Sequence, residues 1–134
     1  MSTVFKQSFR RFALVALLSA FLGQTTASAQ SPNNAPPYEG ELMRLSEILG
    51  ALHFLRPLCG HDDEPSWRNQ METFLESETL DENRRRRFIE RFNQGNRGFS
   101  SVYLSCTASA RLAMEQYIVE GRTLISDVTG RYGR

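Results

Sequence analysis

The 134 residues carry 16 basic and 15 acidic side chains, a net charge of +1 at pH 7, with 40% hydrophobic residues and two cysteines. A chain of this length supports one small core. A balance this close to neutral creates no field for a polyanion, so nucleic acid is excluded as an expected partner.

The first 29 residues have the three parts of a secretory signal in order: a basic start (Lys6, Arg10, Arg11), an apolar run from Phe12 to Leu22, and the small residues Ala27-Ser28-Ala29. Cleavage is expected between Ala29 and Gln30. An apolar run of 11 residues falls well short of the ~20 that span a bilayer. The expected product is periplasmic, with no transmembrane anchor after cleavage. It holds 13 arginines against 15 carboxylates, because three basic residues and no acidic ones lie in the signal.

Residues 30–37 read QSPNNAPP, with three prolines and no large apolar side chain, which predicts a flexible leader. Residues 38–134 are then one domain. Leu42, Leu45, Ile48, Leu49, Leu52 and Leu55 recur at helical steps and predict a first helix from about Glu39 to Arg56, stopped by Pro57. A second is expected near Pro65, after the acidic Asp62, Asp63 and Glu64, with Trp67, Met71, Phe74 and Leu75 as its apolar stripe. Thr79 to Glu82 forms a capping-box pattern for a third, carrying Phe88, Ile89 and Phe92 and ending before Gly95.

The fourth and longest helix is expected from near Phe99, through Cys106, Met114, Tyr117 and Leu124, to just before Gly130. Gly121 weakens it locally. The residues between Phe92 and Phe99 contain Gly95 and Gly98 and read as a tight turn between helices three and four. No strand alternation is present, so the fold class is all-α, a small four-helix bundle with a long C-terminal helix.

Two cysteines in an exported chain pair by default, and a bond between Cys59 and Cys106 would close a 47-residue loop. In the chain-entropy model a loop of that size lies between the ~3 and ~4.7 kcal/mol of shorter and longer ones. A metal site using Cys59, Cys106, His53 and His61 is the alternative. Its spacing lacks the two regular ligand pairs of a structural zinc site, and no cofactor is expected.

The sequence holds no GxSxG and no HExxH, and carboxylates such as Glu72, Glu76 and Glu78 read as a solvated helix face. Arg84 to Arg87 point around a full helical circumference, with Arg84 laid along Phe88 and Glu90 placed to pair with Arg86 or Arg87. Asn93 and Arg97 exceed what a turn needs. With Arg85 and Arg86 they are the candidate partner-binding residues, for a periplasmic or envelope protein.

Leu55 to Gly60, Trp67-Arg68, Phe92-Asn93 with Gly95 and Arg97, Tyr103, Cys106-Thr107, and Tyr117 with Glu120-Gly121 form a combined pattern. It resembles an uncharacterised family of small secreted alphaproteobacterial proteins with two well-separated, disulfide-bonded cysteines. The likeness covers about Leu42 to Ile125 and implies no activity. The favoured expectation is a non-catalytic interaction module of the envelope. A small hydrolase acting on envelope polymers and a metal- or ligand-carrying helical protein are the alternatives.

Overall fold

A computed structural model of the chain describes residues 35–78 and 81–133. The expected signal, its cleavage site at Ala29 and Gln30, and the leader up to Asn34 lie outside the described residues. Four helices follow one another: α1 (Glu39–Leu58), α2 (Trp67–Ser77), α3 (Glu82–Ser100) and the long α4 (Ala108–Tyr132). The all-α expectation holds.

The first helix is the shared wall of the bundle. Leu42, Leu49, Met71, Leu75, Phe88 and Phe92 close one apolar cluster between α1, α2 and α3. Ile48, Leu52, Leu55, Ala110 and Met114 close another between α1 and α4, and Trp67 packs against both. Serving two clusters requires α1 to be buried around most of its circumference, so Ser46, Gly50 and Ala51 are covered as well as the leucines. The buried Ser46 hydroxyl donates to Leu42 O at 3.0 Å and leaves no unpaired polar group.

Small residues set how closely α3 approaches. A Cβ added to Gly50 would lie 1.8 Å from Phe92 O, and one added to Gly95 would lie 1.9 Å from Glu47 O. Gly95 therefore sits inside a continuous helix because the neighbouring backbone occupies its side-chain space. This corrects the expected turn: α3 runs through Asn93, Gly95, Arg97 and Gly98 to Ser100. Gly98 faces open space, and nothing in the structure requires it.

The remaining boundaries also move. Asp81 caps α3 by accepting from Arg84 N at 2.9 Å, two residues beyond the expected cap position at Thr79, which lies outside the described residues. Ser66 caps α2 by accepting from Asn69 N, placing Pro65 before the helix. Pro57 lies within the last turn of α1. Residues 101–107 connect α3 to α4, and Thr107 caps α4 by accepting from Ala110 N. That helix continues through Gly130 to Tyr132. Gly121 in its middle is buried against Ile48, where a Cβ would meet Cγ2 at an ordinary 3.4 Å.

Cys59 and Cys106 are joined, with Cα atoms 4.9 Å apart. Their sulfurs are bonded to each other, so the alternative metal set of thiolate ligands is not formed. Cys59 is the C-cap of α1, and Gly60 beyond it takes a φ of 80°. Gly60 N donates to Pro57 O and His61 N to Arg56 O, both at 3.0 Å, the paired closure of a Schellman motif. Cys106 directly precedes the cap of α4. The disulfide thus ties two helix ends that are each already fixed by backbone hydrogen bonds.

Candidate functional site

Ion pairs hold α1 to its neighbours along its length. At its start Glu39 accepts from Arg84 Nε at 2.7 Å and from Arg87 at 3.3 Å, so these arginines of the basic run pair across helices and not with Glu90. Arg84 also reaches Glu78, and its guanidinium lies over the Phe88 ring, as expected for its stem. In the second turn Arg44 grips Glu120 of α4 through two bonds of 2.7 and 2.9 Å, and this partner holds the Glu120 carboxyl below the ordinary carboxylate range. At its end Arg56 and Trp67 both donate to Asp63, whose carboxyl is held down to about 2, chiefly by the Arg56 bonds.

Of the seven described arginines that form no pair with a carboxylate, Arg68 and Arg85 are two that border the same groove. The guanidinium–carboxylate pairs among the described residues use Arg44, Arg56, Arg84, Arg87 and Arg131, and neither Arg68 nor Arg85 forms one. Both line a groove of about 300 Å³ between α2 and α3. Arg68, Met71, Glu72 and Leu75 supply its α2 side at helical spacing. Arg85, Ile89, Phe92 and Asn93 supply its α3 side. Its floor is the buried Met71, Leu75 and Phe92, with Ile89 left 38% exposed at the edge.

Two of the four sequence-selected candidates, Arg85 and Asn93, meet in this groove because they lie eight residues apart on an unbroken helix. Arg86 and Arg97 are exposed on the same helix and do not line it. Arg86 instead donates to Asn83. The sequence reading missed Arg68 and Glu72. Their signal was available, since they flank Met71 and precede Leu75 by seven and three residues, which places a charged pair beside an apolar stripe.

His53 lies behind the groove, its ring centroid 5.6 Å from that of Phe92. Burial pushes its ionisation below the ordinary histidine value, and the charge of Arg68 adds to the effect. A second groove, of about 270 Å³, runs between α1 and α4 beside Trp67 and Tyr117. It is mostly apolar and carries Arg122 with Arg56, the latter already engaged by Asp63.

Chemically, the α2–α3 groove combines donors on Arg68, Arg85 and Asn93 with acceptors on Glu72 and Asn93 over an apolar floor. Such an arrangement offers hydrogen-bond donors and acceptors to a ligand, and its lining residues set no nucleophile beside a base. Comparison with known proteins adds a family. A family model described as protein of unknown function (DUF2385) matches residues 37–132. No curated protein and no solved structure matches the chain.

Proposed function

The chain belongs to that family of unknown function, and from the groove between α2 and α3 we propose that it is an exported, non-catalytic module that binds a protein of the cell envelope. Export is supported by the basic, apolar and small-residue segments of residues 1–29 and by a disulfide, which persists in oxidising compartments. No helix among the described residues is long and apolar enough to cross a membrane.

One observation carries the binding function: two guanidinium groups without a carboxylate partner, Arg68 from α2 and Arg85 from α3, border one apolar floor. Arg85 is partly covered and Arg68 exposed, and an unpaired guanidinium of either kind adds little to its own fold while remaining a strong donor to an incoming acceptor. The ionisations displaced by bonding, at Asp63 and Glu120, belong to pairs that hold helices together. They serve the scaffold.

Photo-cross-linking in cells tests the function. A photoreactive residue at Ile89, on the groove edge, captures an envelope protein, whereas one at Leu112, 56% exposed on α4, does not. The additional substitution Arg85→Glu weakens the Ile89 capture. Equal capture from both positions, or capture indifferent to Arg85→Glu, contradicts the assignment.

A further inference from the structure

We infer that the occupant of the α2–α3 groove is a short acidic and apolar peptide segment of the partner, with a carboxylate seated between Arg68 and Arg85. This inference rests on the proposed binding function and adds the chemistry of the ligand.

Charge complementarity identifies the acidic element. Two guanidinium groups from opposite walls border one groove with no ion-paired carboxylate of the chain on either. A guanidinium presents a planar fork of donors, which a carboxylate meets with two oxygens and a single hydroxyl or carbonyl does not. The net charge after expected cleavage is negative, so any attraction for an anion comes from the local pair and not from the bulk charge.

Size and polarity favour a peptide over an acyl chain with a carboxylate head. About 300 Å³ is at the small end of ligand pockets and suits a few side chains rather than a whole cofactor. The rim also offers acceptors, Glu72 and the Asn93 carbonyl oxygen, in addition to donors. A peptide backbone supplies both N–H and C=O groups to such a rim. A fatty acid supplies only acceptors and leaves Glu72 facing apolar chain.

Fluorescence anisotropy on the oxidised chain, expressed from its full-length sequence, provides the test. The probe is a fluorescein-labelled amphipathic peptide of about twelve residues, with leucines at i and i+4 and glutamates between them. Saturable binding is expected, weakened about tenfold or more when its glutamates become glutamines and by Arg68→Glu or Arg85→Glu. Arg91→Glu, on α3 outside this groove, changes affinity less than about twofold by the same argument. In parallel, bound carboxylate beside Arg68 offsets its charge, so the His53 ring titrates at higher pH in the complex.

Equal affinity of the glutamate and glutamine peptides overturns the inference. So does tighter binding of laurate with displacement of the peptide, or full affinity in Arg85→Glu at unchanged melting temperature. If the Ile89 cross-link persists in cells but the peptide does not bind, the peptide class fails while the binding function stands. Loss of the cross-link removes both.

Discussion

Gly50 and Gly95 form a reciprocal pair in which each glycine makes room for the backbone of the other's helix, at Phe92 O and Glu47 O respectively. The contact is between main chains, so no rotamer change relieves it. It fixes the spacing of α1 and α3 and, through Phe92, the floor of the groove.

Gly95→Ala is therefore expected to destabilise the domain by about 1–3 kcal/mol, the range of core overpacking, even though alanine is the better helix former. Gly121→Ala is the matched control: its Cβ meets Ile48 at an ordinary distance and gains up to about 1 kcal/mol of helix propensity. Thermal denaturation monitored at 222 nm separates them. Similar midpoints for the two variants would rule out the reciprocal packing.

This pair also explains what the sequence conceals. Helix number, the buried leucines of α1 and the cysteine pairing were legible, because apolar spacing and compartment chemistry are local signals. A glycine that admits a neighbouring backbone looks the same in sequence as one that ends a helix, so the sequence around Gly95 predicts a turn. The error displaced the expected start of α4 to Phe99 and moved Asn93 and Arg97 into a loop. Half of the groove was missed for a related reason: Arg68 and Glu72 acquire meaning only once α3 lies beside α2, a tertiary fact.

Cys59→Ser or Cys106→Ser should lower stability by about 3–4 kcal/mol, the chain-entropy value for this loop length. Hydrogen exchange gives the location. Because α4 packs its backbone against α1 and meets α3 through the edge-on contact of Tyr117 with Phe99, its amides should lose protection before those of α3. Uniform loss across all four helices would count against this, as would an unchanged melting temperature in reductant.

Acid should act in two windows. The folded-state values of His53 and Asp63 both lie below their unfolded ones, so the unfolded state binds more protons and stability falls as pH falls. The His53 contribution is complete above about pH 6.5 and begins to be lost below it. The Asp63 contribution is complete above about pH 4 and is lost as pH approaches 2, amounting to roughly 1–2 kcal/mol after allowance for its partial exposure. His53→Phe should abolish the upper step and Asp63→Asn the lower. A single step unaffected by either variant would refute the assignment.

Asp63→Asn has a second expected effect at neutral pH. It removes the negative charge and one of the two acceptor oxygens that serve Arg56 and Trp67, at the junction of the end of α1 with the start of α2. A loss of about 1–3 kcal/mol is expected from leaving charged and ring donors without a charged partner. The red-shifted, quenched emission of a loosened Trp67, the chain's single tryptophan, reports it; an unchanged spectrum and midpoint would show the bonds to be dispensable.

The bond between Cys59 and Cys106 also alters what proteolysis does to the molecule. The backbone connecting α1 to α4 through α2 and α3 lies inside the ring that it closes. A single cut anywhere between the two cysteines opens that ring without releasing a fragment, and the two pieces remain one particle until reduced. The groove draws one wall from α2 and the other from α3, so a nick in the segment joining those helices would place its walls on separate chains. Those chains would still be covalently tethered through the ends of α1 and α4. In a compartment containing proteases but no thiol reductant, cleavage and loss of the binding surface are thereby uncoupled.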